Sequence, residues 1–147
     1  MRALSIIVLS ALFLIAVPLR ADTPKDTEVK KDLDKLQGKW TVASIDENGK
    51  AAPADEVARF EITIKGDLFS IKTKDEANKE LTIKLDPSAK PATIDMKPKD
   101  GKEKNVMGIY KLDGDTLTIC ATDENKERPK EFSATKGVAL LVLKRAK

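Results

Sequence analysis

Histidine is absent from the 147 residues, and cysteine, tryptophan and tyrosine occur once each. Without histidine there is no imidazole for a metal site and no Ser–His or Cys–His pair. The side chain best suited to act as a general base near neutrality is missing too. The single cysteine, Cys120, excludes an internal disulfide, so an exported domain of this sequence must rest on its hydrophobic core. Cys120 falls mid-strand in Leu117-Thr118-Ile119-Cys120 and reads as a small core hydrophobe; the sharper reading is a free thiol able to bridge to another chain. Glycines such as Gly66, Gly101, Gly108 and Gly114 are scattered singly, so no phosphate-cradling loop is formed. Asp113 and Asp115 flank a turn glycine, and Asp123 and Glu124 lack the spacing of an EF-hand. With no nucleophile or acid–base constellation, the expectation is a protein that is not an enzyme and takes no metal or cofactor.

Charge is plentiful, at 35% of residues, but mixed in sign. No basic stripe with interleaved aromatics runs along the chain, which argues against nucleic acid as a partner. One long apolar run is present, Ala3 to Val17, preceded by Met1-Arg2 and followed by Pro18-Leu19-Arg20-Ala21. That is the layout of a secretory signal peptide over residues 1–21, cleaved after Ala21. At 15 residues the run falls short of the roughly 18–20 that span a bilayer, so no membrane span is expected after cleavage. The remaining chain carries 25 basic residues against 24 acidic ones, with periplasm or secretion as its destination.

Residues 22–37 read as a helix. Asp22 or Thr23 suits the N-cap, Pro24 the first turn and Gly38 the stop. Val29, Leu33 and Leu36 form one apolar stripe at i, i+4 and i+7. From residue 38 onward the period changes to two. Trp40, Val42 and Ser44 share a face in the first strand; Phe60, Ile62 and Ile64 alternate with Glu61, Thr63 and Lys65 in the clearest one. Eight strands are predicted, over 40–45, 60–65, 68–73, 80–85, 92–96, 106–112, 116–121 and 138–143. Asn48-Gly49, Gly66-Asp67 and Asp113-Gly114 mark turns. The segment 51–59 reads as a crossover with one helical turn. The last strand is apolar on both faces. With Val138, Leu140 and Val142 facing the core, Ala139, Leu141 and Leu143 need an outer cover, and the helix stripe is the expected one.

Regularly spaced short strands with little helix predict an all-β fold: an eight-stranded up-and-down antiparallel barrel over 38–147, with one N-terminal helix packed outside. The inward set includes Trp40, Phe60, Ile62, Phe69, Tyr110, Leu140 and Val142. Eight strands enclose just enough room to be filled by side chains or to hold one small ligand.

Gly38-x-Trp40 after a short helix resembles the lipocalin signature. The resemblance implies a tryptophan that plugs one end of the barrel, with a basic residue near the last strand over it; Arg145 and Lys144 are the candidates. A wider series recurs in order: Leu36-Gln37-Gly38-x-Trp40, Asn48-Gly49-Lys50, Leu112-Asp113-Gly114-Asp115-Thr116-Leu117 with Ile119-Cys120, Arg128-Pro129-x-Glu131-Phe132, and Leu140-Leu141-Val142-Leu143-Lys144-Arg145. It resembles the small lipocalin-like domain of uncharacterised function found in exported planctomycete proteins, from about Leu33 to Arg145. That resemblance carries no established substrate and no catalytic residues. The functional expectation is an exported binding module for a small apolar or amphipathic ligand. Trp40, Phe60, Ile62, Phe69, Tyr110 and Arg128 are its candidate contacts, with the Arg128 guanidinium placed to meet a ligand carboxylate or to pair with a loop carboxylate. The alternative is a filled barrel that binds another envelope protein or polymer through its outer surface.

Overall fold

The computed structural model describes residues 23–123 and 125–147. The expected signal peptide (1–21), the alternative cap Asp22 and the loop carboxylate Glu124 lie outside the described residues. The chain forms α1 (Pro24–Leu36), β1 (Gly38–Glu47), β2 (Lys50–Ala51), α2 (Ala54–Val57), β3 (Glu61–Lys65), β4 (Leu68–Lys72), β5 (Lys79–Asp86), β6 (Thr93–Pro98), β7 (Val106–Asp113), β8 (Thr116–Asp123) and β9 (Ala139–Arg145). From β3 to β9 each strand pairs antiparallel with the next, while β1 pairs with both β3 and β9. The sheet therefore closes into an eight-stranded antiparallel barrel and presents no long free edge. The ninth strand, β2, is a short extension folded back on β1 by the turn at Asn48 (φ 53°) and Gly49 (φ 78°). Two successive left-handed residues give the tight hairpin its twist, and Asn-Gly adopts that pair readily.

Thr23 caps α1. Its hydroxyl accepts from the Asp26 backbone amide, and the Asp26 carboxylate accepts from the Thr23 amide at 3.1 Å. These reciprocal bonds satisfy donors that a helix start leaves free. The Thr23 hydroxyl also donates to the Asp26 carboxylate at 2.7 Å, and this bond, then the one from the Thr23 amide, holds the Asp26 carboxyl below its usual pKa. Gly38, at φ 115°, lets the backbone leave the helix and start β1.

Fourteen buried side chains form one continuous cluster through the barrel, none more than 8% exposed. Ile94, Leu117 and Ile119 at 1%, Phe69 at 2% and Trp40 at 0% border almost no space that water can enter. The interior is thus filled in the manner of small barrels. Each such aliphatic or aromatic side chain contributes about 1.5–3 kcal/mol on leaving water. Gly108 in β7 belongs to the same close packing: a Cβ there would lie 2.6 Å from the Cys120 carbonyl oxygen of β8. The strand spacing itself requires glycine at this position.

Two strands turn a different face inward from the one alternation predicts. In β9 the inward residues are Leu143, fully buried in the cluster, and Leu141, packed against it; they stand opposite Leu117 and Ile119. Leu140 and Val142 lie on the outer face. A strand apolar on both faces has no phase of its own, and the register with β8 sets it. In β1 the pairing with β9 shifts between Val42 and Ser44, leaving Ala43 as an extra residue. This bulge brings Ile45 opposite Leu141 and turns Ser44 outward.

The helix lies outside the strands as expected, but it does not cover the outer face of the last one. It crosses one end of the barrel. Leu36 is 0% exposed within the core cluster, and Val29 and Leu33 pack against that cluster. The outer face of β8 is covered instead by residues 125–138. Cys120, on that face, is fully buried, with its thiol 3.6 Å from the Ser133 carbonyl, and the Thr122 hydroxyl donates to the Gly137 carbonyl at 2.8 Å. Burial pushes the Cys120 thiol above its usual pKa, so it is a poor nucleophile in the folded state.

Candidate functional site

The helix is fastened over its barrel end by polar contacts to two of the turns there. Gln37 bridges to the β3–β4 turn: its side-chain amide donates to the Gly66 carbonyl at 2.9 Å and its carbonyl accepts from the Gly66 amide at 2.7 Å. Lys25 pairs with Asp86 at the β5–β6 turn at 3.0 Å. Asp86 also accepts from the Ser88 hydroxyl at 2.5 Å, and this bond, more than Lys25, lowers its pKa.

At the centre of this end sits Trp40. Its indole N–H donates to the Leu36 carbonyl at 2.9 Å, and the Arg145 guanidinium lies 4.4 Å from its ring centroid. Of the two basic candidates, Arg145 is therefore the one over the tryptophan. Arg145 also donates to the carbonyls of Lys35 (2.8 Å) and Gln37 (2.9 Å) and to Asp115 (3.2 Å). A helix leaves its last carbonyls without partners, and a cation is favoured there. Arg145 thus ties the end of β9 to the end of α1.

Beside this plug lies an open cleft of about 650 Å³. Its walls are the C-terminal half of α1, the β5–β6 loop from Pro87 to Ala92, the end of β7 and Phe132 from the 125–138 segment. Pro91, Leu112 and Phe132 supply apolar surface, and Lys35, Lys90, Lys111 and Arg145 supply positive charge. The Lys111 ammonium sits 4.7 Å from the Phe132 ring centroid. At the back of the cleft the Tyr110 hydroxyl donates to Asp32 at 2.8 Å, and Lys35 pairs with the same carboxylate at 3.3 Å.

Burial, then the bond to Asp32, pushes the Tyr110 phenol well above its usual range. A folded pKa above the unfolded value of 10.0 gives stability that is intact below pH 10 and declines as pH rises beyond it, by up to about 1.4 kcal/mol per pH unit. Since Tyr110 is the only tyrosine, the phenolate band that grows in near 295 nm at high pH, above the constant indole absorbance, reports its ionisation. Phenolate is expected to appear only together with alkaline unfolding. A free, reversible titration near pH 10 in the folded protein would rule out the buried bond to Asp32.

The structure disperses the six residues expected to contact a ligand. Ile62 and Phe69 lie in the filled interior and Trp40 in the plug. Phe60 is half-buried, just before β3 and outside the core cluster. Arg128 donates to the Gly108 carbonyl (2.7 Å), the Ile94 carbonyl (3.4 Å) and Asp95 (2.6 Å). Those bonds fasten the 125–138 segment to the barrel wall. The expectation of a carboxylate partner is met, but by a strand residue rather than a loop one. Only Tyr110 reaches the cleft. Lys90, Lys111 and Phe132 were missed because three separated segments supply them. The one signal was Phe132 in the Arg128-Pro129-x-Glu131-Phe132 stretch, an apolar residue outside any strand. Compared with known proteins, the chain matches no family model, no curated protein and no solved structure.

Proposed function

We propose that this chain is an exported, lipocalin-like binding module that carries a small amphipathic molecule outside its barrel, in the cleft over the helix-capped end. The observation that carries this reading is the division between a packed interior and an external concavity. The core cluster runs without a break up to Leu36 of the helix, so a lumenal ligand would have to displace side chains. The cleft of about 650 Å³ is within the range of small-molecule sites, roughly 300–1,000 Å³, and combines apolar walls with a few polar groups as such sites do. Export is supported by the basic start and 15-residue apolar run at the N-terminus. A role in binding rather than catalysis fits a chain without histidine, whose one thiol is buried with a raised pKa.

Native mass spectrometry of the mature protein from its own cells, set against the denatured mass, tests the proposal. The expected result is a reproducible mass excess in the wild type that is lost in Ala89→Trp, which fills the cleft. An excess that survives Ala89→Trp would locate the ligand elsewhere. A bare chain mass in fresh extracts would favour the other reading, a solid barrel that binds an envelope protein or polymer.

A further inference from the structure

We infer that the cleft selects a small organic anion with a flat apolar body, its charge met by Lys90 and Lys111 and its body laid against Phe132 and Pro91. This rests on the cleft being the binding site and adds the chemistry of what it takes.

The charges around the cleft are not equally available. Arg145 is engaged by two backbone carbonyls and by Asp115. Lys35 compensates the charge of Asp32, the one carboxylate of the lining, and the Tyr110 hydroxyl donates to it. Among the described residues, Lys90 and Lys111 have no carboxylate partner. The lining therefore presents two uncompensated ammonium groups beside apolar surface. Lys111 is held over the face of Phe132, an arrangement that keeps a cation at an apolar wall.

The opposite end of the barrel provides a contrast. A cleft of about 500 Å³ lies there between the β4–β5 and β6–β7 loops. Its lysines are paired: Lys79 with Glu103 at 2.8 Å and Lys99 with Glu80 at 3.1 Å. The lysines of that cleft are thus compensated, whereas Lys90 and Lys111 of the helix-capped cleft are not. A neutral ligand seated there would take water from two ammonium groups and return nothing; a cation would be repelled. An anion replaces that water with charge-assisted hydrogen bonds.

The test uses the mature chain and two fluorescent probes that share a ring system, 8-anilinonaphthalene-1-sulfonate and the uncharged N-phenyl-1-naphthylamine. The sulfonate is expected to bind at least tenfold more tightly than the neutral probe, and less tightly as salt is raised. Lys90→Glu with Lys111→Glu should weaken the sulfonate at least tenfold. Lys72→Glu with Lys97→Glu, the same charge change elsewhere on the barrel, should leave it within twofold. Should the glutamate pair disturb folding, Lys90→Gln with Lys111→Gln must still weaken binding several-fold. If both probes bind equally, and Phe132→Ala weakens both while the lysine changes affect neither, the cleft stands as the site and its selection of anions is overturned. If no cleft substitution changes either probe, the cleft itself is overturned as the site.

Discussion

Trp40→Ala is expected to lower the stability of the fold by about 4 kcal/mol, the range for removing a large buried aromatic being roughly 3–5 kcal/mol. Two losses combine. The barrel end would contain a void where a fully buried indole sat, and its lining cannot collapse freely, since Ile62 and Arg145 are both held opposite by strand pairing. The Leu36 carbonyl would also lose its bond from the indole N–H, and a buried acceptor without a partner costs about 1–3 kcal/mol. Domains of this size are stable by only about 5–15 kcal/mol, so the variant should be marginal at 37 °C. Urea unfolding followed by far-ultraviolet circular dichroism measures the change without relying on the missing fluorophore. A cost below about 1 kcal/mol would mean that Trp40 does not plug the barrel. Trp40→Phe separates the two losses. It keeps most of the ring while removing the N–H, and its cost should be about that of the unpaired carbonyl.

Leu36→Asp is expected to release α1 from the barrel. Leu36 is fully buried between the helix and the core cluster, and a carboxylate cannot remain there unpaired. Leaving the core is the cheaper outcome, because only about one helix must move. The expected loss is about 3 kcal/mol or more, comparable to emptying a leucine site. Hydrogen exchange should show protection lost over residues 24–37 while β3 to β8 stay protected, since local openings follow cooperative units. Val142→Asp is the comparison. Val142 lies on the outer face of β9, where the helix would lie if it packed on the wall of the last strand, and its substitution should leave helix protection unchanged. Release of the helix by Val142→Asp and not by Leu36→Asp would put α1 on the barrel wall instead of its end.

Much of the architecture was legible in the chain. The change from helical period to alternation occurs at Gly38: the helix leaves through extended Gln37, and Gly38, with a positive φ, opens β1. Alternation over Phe60–Lys65 and Leu68–Thr73, with Gly66 between them, specified a hairpin whose inward residues Ile62, Ile64 and Phe69 are all in the core cluster. These readings hold because one face of each strand is polar, so a shift by one residue would bury charge. Thr23, Pro24 and Gly38 marked the ends of the helix because each satisfies a backbone need local to two or three residues.

Where both faces were apolar, alternation alone chose the wrong face, placing Val138, Leu140 and Val142 in the core. The phase of β9 came from the register with β8, and the face of Ile45 from the bulge at Ala43. Neither is a local property. The expected docking of α1 on the outer face of the last strand failed for a related reason: its stripe of Val29, Leu33 and Leu36 names an apolar face but not the surface that meets it. The candidate cleft lay further from view. Lys90, Lys111 and Phe132 come from a turn, a strand and a long connection, brought together only when the barrel closes and the 125–138 segment is fastened to its wall by Arg128. The sequence by itself determined what alternates: a closed antiparallel barrel, its turns, and a capped helix before it. The tertiary structure decided what meets across the closure: a filled interior, a helix across one end, and two lysines without carboxylate partners among the described residues beside an aromatic ring. Periodicity and capping act between near neighbours in the chain, whereas register, burial and unpaired charge are set by residues tens of positions apart.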